Sequence, residues 1–207
     1  YNLFKLVFAS LYKQRLFIME KRVWIIGASS GIGLDLVKLW LQNNYQVIAS
    51  SRDIENSSEL LKLKSIYTNH LELLNINVLD NENVLKSVTK AHNIFNGLDI
   101  CFFNAGVYES MTYEQWDISN FESMMNINYL GAIRVLKPLI AFLEKQKHKS
   151  TIVLNASLSS YFGLPYGGAY SASKAALVNF AQAIQPELQR KNIYIQIINH
   201  GFVKTRL

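Results

Sequence analysis

The 207-residue chain holds one cysteine, Cys101, so it cannot close a disulfide on itself. It has three prolines and four histidines, and the histidines are scattered, without the close spacing of a metal-ligand set. No metal is expected. Residues 1–18 contain no acid, and Lys5, Lys13 and Arg15 interrupt their apolar residues. That stretch is too broken for a membrane-spanning helix and lacks the unbroken apolar core and small-residue cleavage site of a secretory signal. Met19 leads straight into a β-rich run, so residues 1–18 read as an extra segment outside the fold and 19–207 as one domain. No stable membrane insertion is expected, and the reading is cytoplasmic.

Half the residues are hydrophobic and 17% are charged, the balance of a globular chain rather than a disordered one. The formal net charge is +6. Half of it comes from residues 1–18 and the rest is spread along the chain, so no nucleic-acid footprint is drawn. Cys101 lies in the apolar run Ile100–Phe103 and reads as a buried, reduced core residue.

Strand and helix patterns alternate throughout. Strands are predicted at Arg22–Ile26, Gln46–Ser50, Leu71–Asn75, Ile100–Phe103, Thr151–Asn155 and Tyr194–Ile198. Helices are predicted at Gly31–Asn43, Ile54–Lys64, Glu82–Phe95, Phe121–Gln146 and Ala169–Lys191, the last kinking or stopping near Gln185 because Pro186 follows. This alternation specifies an α/β fold, a single doubly wound parallel sheet of Rossmann type flanked by helices. Gly27, Asn104, Ser157 and Gly201 each follow a predicted strand, so they converge on one edge of the sheet.

The first strand runs into Gly27-Ala28-Ser29-Ser30-Gly31-Ile32-Gly33 and then into a helix. A glycine-rich turn in that place lets backbone approach a pyrophosphate at the helix N-terminus. The second strand ends Ser50-Ser51-Arg52. Many dinucleotide sites carry an acid there for the adenosine ribose; a hydroxyl and a guanidinium suit a 2′-phosphate instead. NADP(H) is therefore favoured over NAD(H), with Asp53 as the neighbour that competes for Arg52.

Tyr170 and Lys174 stand at i and i+4 on one helix face, and Ser157 lies thirteen residues before the tyrosine. Alone, a Tyr-x-x-x-Lys pair is ordinary helix surface. Combined with a dinucleotide cradle it acquires a purpose. A free phenol has a pKa near ~10 and is a poor base at neutral pH; a nearby ammonium is expected to lower it. Tyr170 then exchanges a proton with a carbonyl or alcohol oxygen, while Ser157 hydrogen-bonds that oxygen.

Gly27-x-x-x-Gly31-x-Gly33, Asn104-Ala105-Gly106, Asn128, Ser157, Tyr170-x-x-x-Lys174 and Gly201-x-x-x-Thr205 occur in the order found in short-chain dehydrogenases/reductases, which the chain resembles from about Lys21 to Leu207. The resemblance implies an oxidoreductase interconverting a carbonyl and an alcohol on a small-molecule substrate. It makes Tyr170 the general acid/base, with Lys174 tuning it and holding the nicotinamide ribose. Ser157 positions the substrate oxygen, and Asn128 supports a water relay. It implies a cofactor site of Gly27, Ser29, Ser30, Gly31, Ile32, Gly33, Ser51, Arg52, Asn77, Val78, Asn104, Ala105, Gly106, Tyr170, Lys174, Gly201, Val203 and Thr205. It also implies a homodimer or homotetramer through the two long helices. Family members continue past Thr205 with a substrate-covering segment and one more strand, so the chain is expected to be C-terminally incomplete.

Three residues depart from the family pattern. Ile26 replaces a threonine, Phe103 an asparagine and His200 a proline. Ile26 and Phe103 are expected to compensate each other by packing, and His200 stands beside the nicotinamide. These departures are the sole support for the alternative reading, a catalytically weak dinucleotide-binding sensor or scaffold. Val107-Tyr108-Glu109 and Tyr161–Tyr166 are expected to line an apolar, aromatic substrate pocket.

Overall fold

The β-branched run Arg22–Ile26 forms β1, and every residue after Arg22 in it is buried. A computed structural model describes residues 21–146 and 148–203. The remaining strands are β2 (Gln46–Ser51), β3 (Leu71–Asn75), β4 (Ile100–Phe103), β5 (Ser150–Asn155) and β6 (Ile193–Ile198). They pair in parallel in the order β3-β2-β1-β4-β5-β6. That order reverses direction between β1 and β4, the place where such sheets open a crevice for ligands beyond the carboxyl ends of their strands.

Alternating side chains of each strand point to opposite faces. Trp24, Ile26, Ile48, Cys101, Phe103, Ile152 and Leu154 pack on one side. There they meet α3 (Asn81–Ile94), α5 (Gly131–Leu143) and α6 (Gly168–Gln189). Val23, Ile25, Val47, Ala49, Phe102 and Val153 pack on the other, against α1 (Gly31–Gln42) and α2 (Ser58–Ile66). Both faces are covered, which is why the strands read as nearly continuous apolar runs.

Three elements depart from the sequence expectation. The single helix predicted over Phe121–Gln146 is α4 (Ile118–Met124), a π-helical stretch Met125–Leu130, and α5. The helix predicted from Ile54 begins at Ser58, because Ile54 donates its N–H to Asn75 Oδ1 at 2.9 Å and the chain turns there. Pro186 neither stops nor ends α6, which continues to Gln189. Leu188 is buried beyond it and Ile184 packs on the core before it, and that burial holds the turn in spite of the missing donor.

Among the described residues no helix is long and apolar enough to cross a membrane. Residues 1–18 and Thr205, about which the sequence made expectations, lie outside the described residues.

Candidate active site

The glycine-rich turn is built on close backbone approach. Gly27 has φ +86°, a left-handed conformation that disfavours a side chain. A Cβ there would stand 2.6 Å from Ala105 N. At Gly33 a Cβ would stand 2.1 Å from the Gly27 carbonyl oxygen, so α1 can rise directly from the turn only without a side chain at that position. Gly27 and Ala28 both donate their N–H to Ser50 O at 2.9 Å. Asn104 closes the turn from the neighbouring strand: its Nδ2 donates to Gly27 O at 2.7 Å, and its Oδ1 accepts from Asn155 Nδ2 at 2.7 Å. The ends of β1, β4 and β5 are thereby joined.

The N-terminus of α1 suits an anion. Ser30 is the N-cap, yet its side chain makes no capping hydrogen bond, so the first-turn N–H groups have no side-chain partner from it. Beside it, Ser51 Oγ is buried without a hydrogen-bond partner. Arg52 makes no ion pair among the described residues, and the competing Asp53 accepts instead from Asn56 Nδ2 at 2.7 Å. An unpartnered hydroxyl, a guanidinium and a bare helix N-terminus fit the phosphates and ribose of a dinucleotide. Asn77 retains a narrower role, since its Oδ1 accepts from Leu79 N at 3.1 Å.

At the other end of the same cavity stand Ser157, Tyr170 and Lys174. The cavity is about 520 Å³, and it takes in Gly27, Ser29–Ile32, Ser51, Arg52, Asn77, Val78, Asn104–Gly106, Gly201 and Val203 as well. Gly33 packs beneath the turn and Asn128 behind the wall, and neither borders the cavity. Asn128 is fully buried in the π-helical stretch. Its Oδ1 accepts from Val107 N at 2.8 Å, and its Nδ2 donates to Val107 O at 3.0 Å and Ser173 Oγ at 2.9 Å. Every side-chain group of Asn128 is thus spent on holding the loop after β4 against α6.

Two residues that the sequence reading passed over complete the arrangement. Lys174 Nζ donates to the Asn155 carbonyl at 2.7 Å. Ser173 Oγ donates to the Tyr170 carbonyl at 2.7 Å while receiving Asn128. Their position was the available signal: Asn155 ends the strand two residues before Ser157, and Ser173 sits between Tyr170 and Lys174 in register with the next turn.

Burial governs the electrostatics. Lys174 is only 4% exposed, and the lost hydration brings its pKa down to about 8. The expected lowering of the Tyr170 phenol is reversed. Burial raises it, the Ser157 hydroxyl opposes that rise, and Tyr108 adds to it. The Lys174 ammonium stands 5.6 Å from the Tyr170 ring centroid, and its directed contact is to Asn155. Tyr108 packs edge-on against Tyr170 at 5.1 Å. Ser157 Oγ accepts from Ser159 N at 3.2 Å, which fixes the turn that carries it.

Two of the three departures have a simple resolution. Ile26 and Phe103 are register partners on β1 and β4, both 1% exposed in one core cluster. His200 borders the cavity. Of the residues expected to line the substrate side, Val107, Tyr108, Phe162 and Leu164 do so; Glu109, Tyr161, Gly163, Pro165 and Tyr166 are exposed and do not border it.

Comparison with known proteins agrees with this fold. A family model described as short chain dehydrogenase matches residues 21–207. The NADPH-dependent 1-acyldihydroxyacetone phosphate reductase of Schizosaccharomyces pombe (strain 972 / ATCC 24843) is 32% identical over 191 residues, covering 91% of this chain and 62% of that protein. The 3-oxoacyl-[acyl-carrier-protein] reductase FabG of Thermotoga maritima is 27% identical over 188 residues, covering 90% of this chain and 76% of that protein. The solved structure of ElxO with NADP bound superposes with a TM-score of 0.84 at 28% identity, over 91% of this chain and 76% of that one. The chain spans about two thirds of the length of the curated relatives it matches.

Proposed function

The chain belongs to the short-chain dehydrogenase/reductase family, and from that premise we propose that it is an NADP(H)-dependent oxidoreductase interconverting a carbonyl and an alcohol. The observation that carries this reading is a single cavity bordered by Ser157, Tyr170 and Lys174 at one end and by the α1 N-terminus, Ser51 and Arg52 at the other. The bound nicotinamide supplies the hydride. Gly31, Ile32 and the backbone of the glycine-rich turn hold the pyrophosphate, and Lys174 holds the nicotinamide ribose. Ser157 hydrogen-bonds the substrate oxygen. Tyr170, kept protonated by its burial, gives that oxygen its proton during reduction. Asn128 keeps the loop after β4 and the Tyr170 turn in mutual register.

The substrate is an apolar carbonyl compound, lipid-like, aromatic or alicyclic. Val107, Leu158, Phe162, Leu164 and Phe202 border its end of the cavity. We also assign an isologous dimer to α5 and α6. Between them runs a groove of about 320 Å³ lined by Ile133, Leu136, Ile140, Phe180 and Ile184.

The cofactor assignment is tested by binding. A charge-assisted contact to phosphate contributes on the order of 1.5–3 kcal/mol, so NADPH should bind at least about tenfold more tightly than NADH. Arg52→Ala should erase most of that ratio. Equal dissociation constants for the two cofactors in the unmutated chain would refute the NADP(H) preference. A ketone and aldehyde panel followed by NADPH absorbance then identifies the substrate class.

A further inference from the structure

We infer that Trp24 is a positioning residue for the cofactor, acting through Ser50 on the glycine-rich turn; this rests on the NADP(H) reading above. Trp24 and Ser50 are both 0% exposed. The Trp24 indole Nε1–H donates to Ser50 Oγ at 2.8 Å. Across the β1–β2 pairing Trp24 stands opposite Ile48, and Ile26 opposite Ser50. Trp24 and Ser50 are therefore diagonal neighbours on one face of the sheet. That face is otherwise apolar there, since Ile26, Ile48, Ile76 and Val78 share a core cluster with Trp24. An aliphatic or phenyl pair would fill the same space with no polar group to satisfy. The chain instead buries one donor and one acceptor that answer each other. Such a pair adds little net stability but fixes a geometry, because either partner left alone is costly.

The backbone of Ser50 shows what that geometry serves. Its carbonyl accepts from both Gly27 N and Ala28 N at 2.9 Å, so the first two amides of the turn hang from this one residue. On the opposite side Asn104 Nδ2 donates to Gly27 O at 2.7 Å. The turn is thus gripped between Ser50 on β2 and Asn104 after β4. Ser51 and Arg52 follow Ser50 directly and border the cavity. Ser51 O accepts from Ile76 N at 2.9 Å, which fixes the far edge of β2. Ser50 therefore stands between the two parts of the cofactor site, the turn that faces the pyrophosphate and the hydroxyl and guanidinium that face the 2′-phosphate.

Trp24 itself does not border the cavity, so its influence on the cofactor passes through Ser50. With the indole N–H in place, Ser50 Oγ is tied across to β1, and the end of β2 cannot slide or twist against β1 without stretching that bond. Without it the hydroxyl is free to bond a neighbouring backbone group, as buried serines readily do. The Ser50 carbonyl then loses its fixed place beneath Gly27 and Ala28. The spacing between the turn and the Ser51–Arg52 pair, which a single rigid dinucleotide site must hold constant, goes with it.

The test uses the 207-residue chain, read by NADPH titration and by amide hydrogen exchange without cofactor. Ser50→Ala removes the acceptor and leaves the indole packing; Trp24→Phe removes the donor. Each should weaken NADPH binding by about tenfold. The double variant should bind no more weakly than the weaker of the two single variants, the mark of one shared contact. In cofactor-free Ser50→Ala the Gly27 and Ala28 amides should exchange faster relative to those of Cys101 and Phe102 in β4. A general loss of stability would speed both sets alike. Unaltered NADPH affinity in Ser50→Ala overturns the inference, as do losses that add in the double variant, or exchange that rises equally in the turn and in β4. If the unmutated chain binds no NADPH, the cofactor reading itself falls, and the positioning role with it.

Discussion

Lys174 illustrates a conflict between stability and function in one side chain. Its ammonium is buried with one carbonyl as partner, and its pKa falls from 10.5 to about 8. The folded state therefore binds fewer protons than the unfolded state between those values, and stability rises with pH across that window. Below about 8 the full penalty applies, on the order of 3 kcal/mol. Lys174→Met should melt at a higher temperature than the parent at pH 7, with the gap closing as pH approaches 10.5. The same variant should lose NADPH affinity and turnover. Differential scanning calorimetry across that range tests the sign. Tyr170→Phe separates binding from chemistry: the ring and its edge contact with Tyr108 remain, so NADPH should still bind, while turnover should fall by roughly 10²–10⁴. Because burial raises the Tyr170 phenol, alcohol oxidation should accelerate with pH well into the alkaline range, and a rate that is flat above pH 9 would contradict that assignment. The spacing of Ser157, Tyr170 and Lys174 was readable in the sequence. The direction of the Tyr170 shift was not, because it depends on how deeply α6 sits against the loop after β4.

At the scale of elements, strands were the most legible. Short apolar runs placed β1, β3 and β4 to the residue. Helix interruptions were hidden, since π-helical hydrogen bonding leaves no compositional mark on Met125–Leu130. The π-helical stretch carries Asn128 to its hydrogen bonds with both Val107 and Ser173. The glycine-rich turn carries a further prediction. Gly33→Ala would drive a Cβ onto the Gly27 carbonyl oxygen and within 2.8 Å of Asn104 Nδ2. The turn must shift, costing about 1–3 kcal/mol, and NADPH affinity should fall with it. Gly163→Ala is the control, since nothing lies within 4 Å of its Cβ. A Gly33→Ala chain with an unaltered denaturation midpoint and unaltered NADPH binding would show that the turn yields to a methyl group at no cost.

For the whole molecule, the dimer proposed above rests on the groove between α5 and α6. Ile140 and Ile184 line the groove between α5 and α6, flanked by Lys137, Glu144, Glu187 and Lys191. Charges of both signs beside an apolar groove are what the proposed two-fold pairing would use. Light scattering at micromolar concentration should return a dimer mass, and Ile140→Glu should return the monomer. The sheet has one more property at this scale. Cys101 sits in its middle, paired in register with Trp24 on β1 and Ile152 on β5 and 1% exposed; burial pushes its thiol pKa up. The chain's single sulfhydryl is therefore a clock for opening of the central sheet. An alkylating reagent can add its mass only while β4 is parted from its neighbours, so labelling kinetics count those openings one molecule at a time.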